Sequence, residues 1–270
     1  MTSSSGTAPA NASNNSSEDS EQLYLYCLTE ANNVDIEPLL ADLVGIGESS
    51  PPRVISLNKV CAVVSDNPED RYRVSRKNLK AHNAVIDVLR VNLATVPVRF
   101  GTLAPSEDAL TQAVQTSVAD IVNLFENVRG AAEYALRAEW LNKDALLAEL
   151  GGTHPKLAPL KEALNARGAS YHERINFGQK VNEVLLERRE QLEDSLADLA
   201  ANHAREVLIL DLQDDQQEVA NLALLMPESD YDAFMAELSQ FDEAHPDLLR
   251  LRITGPLAAF SFADINLTWT

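Results

Sequence analysis

The stretch RVISLNKVCAVVS, residues 53–65, holds two apolar runs separated by a short polar link. Both runs are rich in β-branched residues, which favour strands. The Asn58-Lys59 pair between them is typical of a tight turn. The stretch therefore predicts a β-hairpin, and the elements on either side of this hairpin decide the fold.

The hairpin lies in the middle of an ordered series of elements. Before it, LYLYCL from Leu23 predicts a strand, and 35–43 has the apolar spacing of a short helix. After it, Arg71–Val91 predicts a long helix, and TVPVRF from Thr95 predicts a strand whose Pro97 favours an edge position or a strand start. This β-α-β-β-α-β order is that of a ferredoxin-like unit, an antiparallel sheet with both helices on one face.

The second half of the chain repeats the same order on a larger scale. An extra helix from Ser106 to about Val128 closes the first half, and AEYALRAEW from Ala132 predicts a new strand. Helices then fill the chain from 142 to about 203. The remaining predicted elements are strands from Glu206 and Val219, a helix over Asp230–Ala244 and a strand from Asp247 onward.

We therefore predict an α+β fold made of two ferredoxin-like (βαββαβ) domains, the second enlarged by inserted helices. Residues 1–22, rich in Ser, Asn and Ala, are expected to form a disordered tail. The first domain and its extra helix would span 23–128. The second would span 129–270, with the helical insert at about 142–204.

Charge and hydropathy exclude several classes of partner. The 270 residues carry a net charge of -19, and such a charge repels nucleic acid and anionic lipid. No stretch approaches the roughly 18 continuous apolar residues of a membrane-spanning helix. The first 22 residues lack the basic and apolar regions of a signal peptide. We expect no nucleic acid partner and no membrane partner.

Motifs that carry chemistry are missing from the sequence. The two cysteines, Cys27 and Cys61, lie in strand-like apolar runs, which favours buried thiols in a reducing compartment. No two histidines have the spacing of a helical metal pair, and neither a phosphate-binding glycine loop nor a nucleophile elbow occurs. We therefore predict no catalytic residue, no metal site and no cofactor.

A cluster of cations is the clearest surface feature. Arg73, Arg76, Lys77 and Lys80 follow helical spacing, opposite an apolar stripe of Leu79, His82, Val85, Ile86 and Leu89. In an acidic protein, this face is a candidate docking site for an acidic partner. The alternative is a solvated face paired with the protein's own carboxylates. His82 on the stripe is interpreted as a hydrogen-bonded core histidine.

The C-terminal stretch RLRITGPLAAFSF, residues 250–262, begins as a half-buried strand because apolar and polar residues alternate. Gly255-Pro256 then predicts a break, since glycine frees the backbone and proline lacks an N–H donor. Phe260 and Phe262 are expected to share one side and to pack back onto a domain.

Four stretches, in this order, resemble the gas vesicle protein F/L family of accessory proteins. They are LYLYCL at 23–28, SRKNLKAHNAVIDVL at 75–89, VPVRFGTL at 96–103 and LRITGPLAAFSF at 251–262. The likeness spans residues 23 to 263. Two features depart from the family pattern: Cys27 stands where glycine is common, and Leu257, Ala258, Ala259 and Phe260 replace a Trp-Pro-Pro-Tyr cluster.

The resemblance implies a non-enzymatic role in gas vesicle formation, in the cytoplasm and in association with gas vesicles. The implied partners are the small hydrophobic shell protein and other gas vesicle accessory proteins. It leaves open whether the chain is of the F or the L type. It marks the following as signature residues with structural roles: Arg99, Phe100, Gly101, Gly255, Pro256, Phe260 and Phe262.

Two other functions are carried as alternatives. A small-molecule-binding regulatory module would place convergent polar groups in a pocket near the domain junction. An enzyme would show carboxylates with strongly shifted pKa values in a cleft. The leading hypothesis is an assembly protein that binds the shell subunit before or during its incorporation.

Overall fold

Strand β1 (Leu23–Glu30) is the centre of the first sheet. The structure is a computed structural model that describes residues 22–32, 34–48, 50–66, 71–168, 170–214 and 216–269. β1 pairs with β3 (Val60–Asp66) on one side and with β4 (Thr95–Pro97) and β5 (Leu103–Ala104) on the other. The predicted hairpin joins β2 (Arg53–Leu57) to β3, and the strand order is β2-β3-β1-β4, all antiparallel.

Helices cover both faces of this sheet. α1 (Glu37–Leu40) and α2 (Arg76–Arg90) pack on the face that carries Tyr24 and Tyr26. α3 (Glu107–Thr116) and α4 (Val118–Val128) pack on the other face. Both faces of β1 are therefore buried within the protein.

Several predicted helix boundaries were wrong. α1 covers only Glu37–Leu40 of the predicted 35–43. α2 begins at Arg76 rather than at Arg71, because the Ser75 hydroxyl accepts a hydrogen bond from the Asn78 N–H and caps the helix there. The single helix predicted from Ser106 is two helices, since the backbone at Ser117 leaves the helical region.

The second sheet has the strand order β7-β8-β6-β9, again antiparallel. Its strands are β6 (Ala131–Trp140), β7 (Glu206–Ile209), β8 (Glu218–Pro227) and β9 (Leu249–Leu257). Between β6 and β7 run α5 (Lys143–Thr153), α6 (Ala158–Arg167) and α7 (Tyr171–Ala201), and α8 (Tyr231–Ala244) precedes β9. α7 and α8 bury one face of the sheet.

These elements confirm the predicted α+β class. The predicted domain limits stay predictions. Residues 1–21 of the predicted disordered tail lie outside the described residues.

Strand β9 does not end at Gly255, in contrast to the predicted break. It continues to Leu257 through a bulge, where the register with β6 shifts between Glu133 and Ala135. Gly255 has a φ of 156° and lies against Tyr134, whose ring stacks on Tyr231 with centroids 4.8 Å apart. A side chain at 255 would collide with that ring, so glycine is required for close approach.

The chain end packs onto the core of the first sheet. Phe262 is buried there with Ala259 and Ala263, and Ser261 is fixed because its N–H and its hydroxyl both donate to the Glu133 carboxylate at 2.8 Å. Phe260, in contrast, is 40% exposed. The expectation that both rings share one side was wrong, because the short 3-10 helix Phe260–Phe262 turns them apart.

A buried chain of hydrogen bonds links β1, α2 and the segment after β4. His82 Nε2–H donates to the Val98 carbonyl at 3.1 Å, and its Nδ1 accepts from the Tyr24 hydroxyl at 3.0 Å. The Tyr24 oxygen accepts in turn from the Gly101 N–H at 3.1 Å. Burial lowers the pKa of His82 to about 4, because the buried ring lacks the water that would stabilise its charged form.

We expect Gly255→Ala to destabilise the protein by about 2 kcal/mol or more, since the new methyl group overpacks the bulge. Its Cβ would lie 2.5 Å from Tyr134 Cδ1 and 3.0 Å from the Glu133 carbonyl oxygen. The matched control is Gly178→Ala in α7, where nothing lies within 4 Å of the added atom. Alanine there should stabilise by about 0.5–1 kcal/mol. Urea unfolding measures both, and equal effects would contradict the role of Gly255.

Stability should fall as the pH drops through the titration range of His82. Its folded pKa of about 4 lies below the ordinary 6.5, so the unfolded chain binds the proton more tightly. The contribution is complete above pH 6.5 and is lost toward pH 4, by about 3 kcal/mol in total. Urea unfolding across this range should give a flatter profile for His82→Gln than for wild type or for His172→Gln, whose histidine is exposed. An NMR titration giving His82 a pKa near 6.5 would contradict the prediction.

Candidate functional site

Four reactive side chains with shifted pKa values lie in the core. Burial raises the pKa of the Cys27 and Cys61 thiols and of the Tyr24 phenol, and lowers that of His82. Within the described ranges, no cluster of three His, Cys, Asp or Glu residues is placed to hold a metal ion. The candidate site is formed by exposed charged and apolar side chains.

Cys27 and Cys61 lie on neighbouring strands, as their predicted positions imply. Cys27 is opposite Val63, and Cys61 is opposite Thr29, so the two thiols are offset by two residues in the register. Both are free. Such a diagonal spacing of about 7–8 Å is too long for a disulfide.

Three of the four predicted docking cations lie on α2. Arg76, Lys77 and Lys80 are exposed on the side opposite the buried stripe, which consists of His82, Val85, Ile86 and Leu89. Arg73 is exposed but precedes the helix, and its carbonyl accepts from the Asn78 side-chain amide at 2.9 Å. The expectation that Arg73 shares the helix face was therefore wrong, because α2 begins only after the Ser75 cap and Arg73 precedes that cap.

These cations differ in how they are paired. Lys77 forms an ion pair with Glu48 and lowers the pKa of that carboxyl group. Arg73, Arg76 and Lys80 have no such partner in the part of the chain that the structure describes. The first turn of α2 carries no acidic residue, so these positive charges oppose the helix dipole. These cations therefore do not stabilise the start of the helix. Contact with an acidic group would offset their unfavourable interaction with the helix dipole.

The signature residues from two distant stretches converge above His82. The Phe100 ring lies 5.7 Å and the Phe260 ring 6.3 Å from the His82 ring, measured between centroids. Arg99 pairs with Asp264 at 2.9 Å, and Gly101 has a φ of 87°, which glycine adopts without strain. The other signature residues are placed in the β9 bulge (Gly255 and the cis-linked Pro256) and in the first core (Phe262).

A small apolar patch remains open at this junction. Phe260 is 40% and Leu79 is 37% exposed, and Phe100 is half-buried. Leu79 lies one helical turn before His82, although the sequence pattern placed it within the buried stripe. Phe100 and Phe260 approach His82, and the i,i+3 spacing puts Leu79 on the same side of α2 as His82. We call Leu79, Phe100 and Phe260 the seam patch. Leu79 lies in the N-terminal part of α2, as the cations do.

Sequence reasoning missed a second cationic surface, on the outer face of the second sheet. Arg137 on β6 is directly opposite Arg252 on β9, and Arg250 is next to them, opposite Glu139. The signal was available, because the arginines alternate with apolar residues in the stretch from Leu249 to Ile253. Without the strand order, however, Arg137 could not be assigned to the same surface.

No helix in the described ranges is both long enough and apolar enough to span a membrane.

Comparison with known proteins gives consistent matches over nearly the whole chain. The family model described as "Gas vesicle synthesis protein GvpL/GvpF" matches residues 22–264. Gas vesicle protein F of Streptomyces sp. (strain CB03234) is 25% identical over 89% of this chain and 99% of that protein. Gas vesicle protein F of Nostoc sp. is 27% identical over 75% of this chain and 83% of that protein.

Solved structures share the fold. The crystal structure of GvpF from Anabaena sp. superposes with a TM-score of 0.79 at 23% identity, covering 92% of this chain and 100% of that one. GvpF from Microcystis aeruginosa gives a TM-score of 0.71 at 23% identity, covering 91% and 100% of the respective chains. With a family model that spans most of its length, the chain belongs to the GvpL/GvpF family of gas vesicle synthesis proteins.

Proposed function

We propose that this chain is a non-enzymatic accessory protein that binds the small hydrophobic shell protein during gas vesicle assembly. Family membership supports a role in gas vesicle formation. The observation that carries the finer proposal is the seam patch beside unpaired cations at one end of α2. Apolar side chains next to charged ones suit a partner that is itself apolar and prone to aggregation.

The charge of the molecule supports the same role. A net charge of -19 keeps the protein and any bound subunit dispersed, because like-charged complexes repel one another. The exposed cations would then attract acidic groups on the partner and orient it. Family membership favours this proposal over a small-molecule-binding module.

We also infer that each half of the chain is a ferredoxin-like unit, the second enlarged by α5, α6 and α7. When the strands are numbered separately in each half of the chain, both sheets are antiparallel with the strand order 2-3-1-4. This is the order expected for βαββαβ.

Two buried free thiols fit a reducing compartment. We therefore propose that the protein is cytoplasmic, with gas vesicles and other accessory proteins as its partners.

Co-expression with a gas vesicle shell protein tests the main proposal. We expect the chain to raise the soluble fraction of the shell protein and to be recovered with it by affinity capture. Leu79→Ser with Phe260→Ser should reduce the captured amount about fivefold or more, because it removes exposed apolar contact area. Leu160→Ser with Leu186→Ser, which are 43% and 39% exposed on the helical insert, should leave capture unchanged. Equal shell-protein solubility with and without the chain, and no recovered complex, would refute the proposal.

Charge reversal on α2 tests how much the cations contribute to capture of the shell protein, apart from the seam patch. Arg76→Glu with Lys80→Glu should weaken capture about tenfold at low salt and less at high salt, since screening shortens the range of the attraction. Arg174→Glu with Arg188→Glu in α7 changes the net charge equally and should have no effect. Unchanged capture by the α2 variant would remove these cations from the docking surface.

A further inference from the structure

Strand β9 forms an open edge of the second sheet. It pairs with β6 on one side, and on the other side it has no partner strand among the described residues. The C-terminal end of β9 is covered, because the Arg90 side chain donates to the Pro256 carbonyl at 3.1 Å. The accessible part of the edge is therefore Leu249–Ile253.

The orientation of the backbone along this edge follows from two hydrogen bonds. The Leu141 N–H donates to the Leu248 carbonyl at 3.0 Å, and the Trp140 N–H donates to the Gln217 carbonyl at 2.9 Å. In an antiparallel pair, successive residues alternate between pointing toward the partner and away from it. The N–H and C=O groups of Leu249, Leu251 and Ile253 consequently point outward, where they can pair with another strand.

A groove runs beside this edge. Its volume is about 390 Å³, and it lies between β9 and α8, with Leu251 and Ile253 on one side. The side chains of α8 that line it are mostly apolar and are Tyr231, Met235, Leu238, Ser239 and Asp242. Side chains of an added strand that face α8 would enter this groove.

The opposite side of the edge is cationic. Arg250 lies 3.8 Å from Glu139, and Arg137 lies 3.8 Å from Glu218. Arg252 is exposed, directly opposite Arg137, and without an ion-pair partner in the described part of the chain. Like charges directly opposite each other destabilise a sheet. A carboxylate on a neighbouring strand would relieve this repulsion.

We propose that the β9 edge binds an extended acidic peptide segment of a partner protein, which adds antiparallel to the sheet as a fifth strand. Apolar side chains of the segment, opposite Leu251 and Ile253, fill the groove, and acidic side chains between them face Arg250 and Arg252. A second copy of this chain does not fit, because edge-to-edge pairing would set arginine against arginine. The site shares no residue with the seam patch or with the α2 cations, and it does not depend on binding of the shell protein.

The probe is a short capped peptide in which valine and glutamate alternate, labelled for fluorescence anisotropy. We expect it to bind wild type, and the matching valine–lysine peptide not to bind. Arg250→Glu with Arg252→Glu should weaken binding of the glutamate peptide about tenfold or more and should create binding of the lysine peptide. Arg174→Glu with Arg188→Glu on α7, which changes the net charge equally, is the matched control and should change the affinity less than about twofold.

Backbone readouts test strand addition independently of charge. N-methylation of the valines should abolish binding, because their N–H groups point toward β9, whereas N-methylation of the glutamates should not. Hydrogen exchange of the Leu251 and Ile253 amides should slow when the peptide binds. Failure of the glutamate peptide to bind, equal binding after charge reversal at 250 and 252, or indifference to the position of N-methylation would each overturn the proposal.

Discussion

The fold depends on a central strand that has no polar face. Every residue of β1 from Leu23 to Thr29 is buried, so the sheet must be covered on both sides. α1 and α2 cover one side, while α3, α4 and the returning C-terminal segment cover the other. The same requirement brings the signature residues of 96–103 and 251–262 together. The segment that follows β9 has to reach the first sheet, because it closes the core of that sheet.

Much of the fold was predictable, because local patterns report local structure. The hairpin, the strands and most helices follow from apolar periodicity, and the edge position of Pro97 follows from its missing N–H. The local pattern did not reveal the bulge in β1 that places Cys27 on the same side as Tyr26. At Gly255 it predicted a break where the structure has a second bulge. Bulges depend on the partner strand, which the local pattern does not specify.

The candidate site was only partly predictable for a related reason. Helical spacing placed Arg76, Lys77 and Lys80 correctly, but the cap at Ser75 removed Arg73 from their face. The seam patch needs the approach of Phe260 to Phe100 above His82, which depends on tertiary contacts between distant residues. The outer arginine cluster likewise needs the register between β6 and β9. For the proposed role in vesicle assembly, the informative features of this molecule are its surfaces, since its ionisable core groups are closed off from solvent.

The packing of the chain end also constrains biosynthesis. Phe262 and Ala263 belong to the core of the first sheet, and Ile265, Leu267 and Trp269 pack against it. A ribosome synthesises these residues well after the strands that they cover. The first half of the molecule therefore leaves the exit tunnel with part of its apolar face uncovered, and its core is complete only when residues 262–269 have followed.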